Sequence, residues 1–145
     1  IRRQRQMCIR DRLRAGNIPR LGGWHRRIFD GGRVRLSLFH GDVAQGLVDI
    51  NLYQHARIDA WFLDGFAPSK NPEMWSESVF DLISQNSFYG TTLTSFTSAG
   101  SVRKKLEGAG FSVKKIQHLN YKRHSLFGAY RKKKRITTKK LNNKK

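Results

Sequence analysis

From Arg33 to Tyr130 the apolar residues switch repeatedly between the two-residue period of a strand and the three-to-four-residue period of a helix, and this alternation restricts the chain to the α/β class. Arg33–Phe39 places Val34, Leu36 and Leu38 on one face, between Gly31-Gly32 and Gly41-Asp42, and predicts a half-buried strand. Val43 to Asn51 reads as a short helix. The run Ile58-Asp59-Ala60-Trp61-Phe62-Leu63, closed by Asp64-Gly65, predicts a strand covered on both faces, the central strand of the sheet. Asn71 can cap a helix that has Pro72 at its first position and Glu73 in its first turn, running to about Ser84. Thr91 to Thr97 is rich in β-branched residues and predicts a strand. Ser101 to Gly108 predicts a helix with Val102, Leu106 and Ala109 on one face, Gly110 as its left-handed cap and Phe111 as the accompanying apolar contact. Val113–Gln117 and Leu126–Tyr130 are two last strands, joined by the basic loop from Asn120 to His124. The order β-α-β-α-β-α-β-β specifies a mostly parallel sheet, and the final strand, reached by a short loop, must run antiparallel. Periodicity alone leaves several α/β folds with such a sheet open.

A length of 145 residues is that of one domain. The 29 Lys and Arg exceed the 10 Asp and Glu by 19, but most of the excess is terminal. Residues 1–12 hold five Arg and one Asp, and Arg131–Lys145 hold nine Lys/Arg and no acid, so residues 13–130 carry 15 − 9 = +6. The chain therefore reads as a foreign or disordered segment over 1–12, a folded domain over 13–131 and a basic, disordered tail over 132–145, which lacks apolar residues to offset its ordering entropy. Such a tail attracts phosphates without regard to sequence. No apolar stretch is long enough to cross a bilayer and no secretion signal opens the chain, so the expectation is a soluble cytoplasmic protein with no membrane partner. The single cysteine, Cys8, excludes an internal disulfide, and no Cys/His spacing argues for a metal.

Asp64-Gly65-Phe66-Ala67-Pro68 leaves the carboxyl end of the expected central strand, where open α/β sheets bind ligands. A stiff turn shaped by Gly65 and Pro68 explains the same residues equally well. Gly41-Asp42 follows the earlier strand, where a helix cap by Asp42 is the simpler explanation. Lys70, Asn71, Met74 and Trp75 come next and could wall the site, or pack. Gly22-Gly23 and Gly31-Gly32 precede strands rather than follow one, so neither is a dinucleotide loop. The five histidines occur singly and read as structural.

The segment from Asp59 to Trp75 (Asp-Ala-Trp-Phe-Leu-Asp-Gly-Phe-Ala-Pro-Ser-Lys-Asn-Pro-Glu-Met-Trp), followed by Phe96-Thr97-Ser98-Ala99-Gly100-Ser101-Val102-Arg103, closely resembles the methyltransferase domain of the bacterial enzymes that complete 5-methylaminomethyl-2-thiouridine at the tRNA wobble position. His25-Arg26, Phe29-Asp30, Gly32-Arg33-Val34, Gly41-Asp42, Gly110-Phe111 and Lys122-Arg123 agree with it, so the resemblance covers roughly residues 18 to 131.

The resemblance implies a class I, Rossmann-like methyltransferase sheet and S-adenosylmethionine-dependent methylation of an aminomethyl-uridine in tRNA. It implies a catalytic role for Asp64 beside the target nitrogen, and cofactor contacts from Gly41, Asp42, Asp64, Gly65 and Phe66. Lys70, Arg103, Lys104, Lys122 and Arg123 are the candidate tRNA contacts. The family's glycine-rich motif and ribose-binding acid lie upstream of the matching region, and nothing in residues 1–24 resembles them. The expectation is thus a domain whose N-terminal strands are missing and which is inactive by itself, with a silent, basic RNA-binding piece as the alternative. Bifunctional relatives carry an FAD-dependent oxidase after the methyltransferase. No FAD is expected in this chain, the oxidase being a fused or separate partner.

Overall fold

The described residues fall into two groups that each pack internally, divided between Asp42 and Val43. The computed structural model describes residues 21–54, 57–117 and 124–132. The terminal segments read above as disordered and the basic loop with Lys122 and Arg123 lie outside the described residues.

In the first group, β1 (Gly23–Phe29) and β2 (Val34–His40) form an antiparallel hairpin, with Phe29 opposite Val34 and Trp24 opposite Phe39. Asp30, Gly31 and Gly32 have φ of 52°, 63° and 91°, a left-handed run that glycine adopts freely and aspartate tolerates. Arg33 closes the turn, its backbone N–H donating to the Asp30 carbonyl at 3.2 Å and its guanidinium pairing with the Asp30 carboxylate at 2.8 Å. The sequence reading is corrected on two points. Gly31-Gly32 follows one strand as well as preceding another, and β2 belongs to a hairpin rather than to a parallel sheet. The reason is that so short a link can join only antiparallel strands. Leu36 and Leu38 do share the better covered face, across from Arg27 and His25, whereas Val34 at the turn is exposed.

The second group carries the layered α/β architecture. Helix α1 (Val43–Asp49) runs on into a π turn over Ile50–Gln54; α2 (Glu77–Gln85) and α3 (Gly100–Gly108) follow β3 (Ala60–Leu63) and β4 (Thr92–Ser95). Strands β5 (Phe111–Gln117) and β6 (His124–Tyr130) complete a sheet of order β3-β4-β6-β5. β3 and β4 pair in parallel, and β6 is antiparallel to both of its neighbours. Three strands therefore point one way and the last runs against them, as the sequence order required. Gly110 has φ +107°, as a left-handed cap needs, and Phe111 meets Tyr130 edge-on at 5.0 Å.

One face of this sheet is the core. Leu93, Leu126, Tyr130, Phe111 and Val113 pack against Val79, Phe80 and Ile83 of α2 and Val102 and Leu106 of α3. On the alternate positions Phe62, Thr94, Phe127 and Lys114 lie in one row across the four strands. Phe62 there is 77% exposed. Among the described strands the expected central strand is therefore β3 at the edge of the sheet, half-buried on one face only. Its unbroken apolar run resembles a two-faced strand, but Trp61 and Leu63 alone contribute to the core. The start of β3 is fixed by buried polar groups: the Thr91 hydroxyl donates to the Ile58 carbonyl at 2.7 Å, and the Trp61 indole N–H donates to the Ser87 hydroxyl at 2.9 Å.

Candidate functional site

The carboxyl end of β3 opens into an exposed loop in which Asp64, Gly65, Phe66 and Ala67 all face solvent. Fixed hydrogen bonds hold it nonetheless. Asp64 N–H donates to the Phe62 carbonyl at 3.0 Å, and the backbone N–H groups of Lys70 and Asn71 donate to the Ala67 carbonyl at 2.7 and 3.1 Å. The Asn71 side-chain oxygen accepts the Met74 N–H at 3.4 Å, so Asn71 caps a turn of 3-10 helix over Glu73–Trp75. This corrects the single helix expected from Pro72. Ser76 is extended (φ −71°, ψ 158°) and breaks it, and α2 begins only at Glu77. The break lets Trp75 turn inward, where its indole N–H donates to the Phe66 carbonyl at 2.8 Å.

Gly65 is packed from below: a Cβ there would stand 2.8 Å from the Met74 methyl. Beneath the loop lies an apolar cavity of about 200 Å³ between α1, α2 and β3, lined in part by Leu47, Leu63, Met74 and Trp75 and reaching Asp64 and Gly65. Met74 and Trp75 thus do wall this place while also packing in the core. From the neighbouring strand, the Ser95 hydroxyl donates to the Leu63 carbonyl at 2.8 Å and ties the ends of β3 and β4 together.

Asp64, Gly65 and Phe66 are contiguous, and Lys70 is exposed in the same loop. Gly41 and Asp42 end the first group of residues, exposed, with the Phe39 ring 2.9 Å from where a Gly41 Cβ would sit. Lys104 is exposed on α3 and borders a groove with Glu77 and Asp81 of α2. Arg103 is exposed too, paired with Glu107 at 2.9 Å one turn on. Such a surface pair is worth a few tenths of a kcal/mol, on the order of 0.3 to 0.5, and leaves the guanidinium available. Lys105, which the sequence did not single out, turns inward instead, and its ammonium donates to the Trp75 carbonyl at 2.6 Å. His25 bonds the Leu21 carbonyl at 2.8 Å and its ring lies 5.0 Å from that of His40. Among the described residues no three His, Cys, Asp or Glu cluster as metal ligands would, and no helix is long and apolar enough to cross a membrane.

An exposed carboxylate at the carboxyl end of a strand lies where open α/β sheets bind ligands. The match to a family model sharpens the class: residues 9–131 fit the S-adenosyl-L-methionine-dependent methyltransferases, and the chain belongs to that family. Its curated relatives include the "tRNA 5-methylaminomethyl-2-thiouridine biosynthesis bifunctional protein MnmC" of Chromobacterium violaceum, 50% identical over 106 residues, and that of Nitrosospira multiformis, 50% identical over 109. These alignments cover 73% and 75% of this chain but 16% and 17% of the relatives, so the chain spans about a sixth of their length. Among solved structures, MnmC2 from Aquifex aeolicus superposes with a TM-score of 0.62 at 29% identity, over 71% of this chain and 33% of that one.

Proposed function

We propose that the protein transfers a methyl group from S-adenosylmethionine to the primary amine of 5-aminomethyl-2-thiouridine at the tRNA wobble position, with Asp64 at the reacting nitrogen. The observation that carries this reading is the exposed, hydrogen-bonded Asp64-Gly65-Phe66 loop at the end of β3, lying inside the region that is half identical to proteins named for this modification.

The residues suit the donor. A sulfonium is a cation, and the loop offers the Asp64 carboxylate and the Phe66 ring, 71% exposed, both of which attract cations. Gly41 and Asp42 are further proposed cofactor contacts on the family resemblance alone. Bound S-adenosylmethionine supplies an electrophilic methyl group. An aliphatic amine near a pKa of ~10.4 is a free base in only about one molecule in 10³ at pH 7. Asp64 would orient the ammonium, accept its proton and aim the lone pair, with orientation first and base catalysis second.

Lys70, Arg103 and Lys104, with Lys122 and Arg123, are proposed to place tRNA through phosphate contacts, while the residues from Lys132 on add affinity without selectivity. The proposed setting is the cytoplasm. No FAD is assigned to this chain, and an FAD-dependent oxidase, fused or separate, is the proposed partner enzyme.

The test supplies methyl-labelled S-adenosylmethionine and tRNA bearing 5-aminomethyl-2-thiouridine to the protein as its gene encodes it. Labelled 5-methylaminomethyl-2-thiouridine in the digested tRNA is the expected product. Absence of S-adenosylmethionine binding together with retained RNA binding would favour the silent, basic RNA-binding alternative.

A further inference from the structure

We propose that Trp75 is the positioning residue of this site and Lys105 its strut, a role that rests on the methyl-transfer reading above. The stretch from Asp64 to Ala67 is exposed, so burial cannot make it rigid. Among the described residues, a side-chain hydrogen bond ties it to the core at the Phe66 carbonyl, which accepts the Trp75 indole N–H at 2.8 Å. The donor is itself immobilised: Trp75 is 7% exposed and its ring packs 6.3 Å from that of Phe80. Its backbone is held on both sides, its N–H donating to the Pro72 carbonyl at 3.0 Å and its carbonyl accepting the Lys105 ammonium at 2.6 Å. Lys105 reaches there from α3, with its ammonium 5.9 Å from the centre of the Phe80 ring. A charged donor makes the stronger kind of hydrogen bond.

An unbroken path thus runs from α3 through Lys105 and Trp75 to the carbonyl two residues beyond Asp64. Met74 closes on Gly65 from the same side and limits the backbone between them. Fixing that carbonyl fixes the peptide plane after Phe66, and with it the directions in which the Phe66 and Asp64 side chains leave the loop. Transfer to an amine needs an aligned nucleophile, and a displacement near 1 Å can cost about 10² in rate.

Phe66-Ala67 is the only Phe-Ala step in the sequence, so protein labelled with carbonyl-13C phenylalanine and 15N alanine gives one resonance for the Phe66 carbonyl. Site-specific replacement of Trp75 by 3-benzothienylalanine keeps the ring shape and removes the N–H. We expect that resonance to move upfield, to move the same way but less in Lys105→Met, and to return in Lys105→Arg. In methyl transfer the Trp75 replacement lowers kcat by about 10- to 100-fold while the KM for S-adenosylmethionine stays within about 2-fold, and Lys105→Arg recovers what Lys105→Met loses. An unmoved resonance in both altered proteins overturns the proposal. So does a moved resonance with unchanged kcat. If the protein as its gene encodes it fails to methylate the aminomethyl-uridine, the substrate reading falls, and the resonance still decides whether Trp75 and Lys105 hold the loop.

Discussion

Two loops leave the carboxyl ends of the parallel pair β3 and β4, and they are stiffened in opposite ways. The loop after β4 is held by its own hydroxyls: Thr97 N–H donates to the Ser95 hydroxyl and Ala99 N–H to the Thr97 hydroxyl, both at 3.3 Å, before α3 begins at Gly100. The loop after β3 also has local backbone bonds, but its side-chain ties come from a distance, from Trp75 nine residues on and, behind it, from Lys105 on another helix. Both expose a phenylalanine, Phe66 and Phe96, so aromatic exposure alone does not separate them. A loop built from local hydroxyl contacts is well suited to starting a helix. One braced by the core can present a carboxylate in a fixed direction without burying it.

The difference can be broken by substitution. The largest expected effect is on activity: Asp64→Ala lowers methyl transfer by on the order of 10² to 10⁴, with binding of S-adenosylmethionine reduced far less, as turnover and calorimetric titration would show. Next, Ser95→Ala removes the hydroxyl, 2% exposed, that bridges the two loops, and costs about 1 to 3 kcal/mol in urea unfolding because the Leu63 carbonyl loses its donor. A smaller cost, about 0.5 to 1.5 kcal/mol, follows Thr97→Ala, whose single bond to Ala99 is local and replaceable by water. Smallest is Gly65→Ala. Its new methyl crowds only the flexible end of Met74, with the Trp75 ring at an ordinary 3.9 Å, so stability falls by less than about 1 kcal/mol. A Gly65→Ala loss exceeding that of Ser95→Ala would reverse the comparison.

Much of this was legible in the sequence where the governing interaction is local. The α3 face of Val102, Leu106 and Ala109, the Gly110 cap and the antiparallel last strand all follow from spacing over a few residues. So did the choice of Asp64 as the residue at a strand end. β1 escaped notice because Trp24, Arg26 and Ile28 on one side and His25, Arg27 and Phe29 on the other mix apolar and basic residues on both faces. β3 was misplaced to the centre because a run of apolar residues does not say which neighbours cover it; exposed Phe62 does. Trp75 read only as a residue that could wall the site or pack, and Lys105 was not singled out, since the carbonyls they hold are set by tertiary packing that no spacing encodes.

The central claim is that Asp64 orients and deprotonates the amine, and the most direct measurement is the rate of methyl transfer by the full-length protein as its gene encodes it and by its Asp64→Asn variant across pH 7 to about 10. Asparagine keeps the size and one acceptor but cannot take the proton. The account predicts a deficit that is greatest near neutral pH and shrinks as the amine loses its proton unaided near ~10.4. Equal rates for the two proteins throughout the range would contradict the proton-accepting role, and an equal rate in Asp64→Ala as well would leave Asp64-Gly65-Phe66-Ala67-Pro68 as a stiff turn without a part in the chemistry.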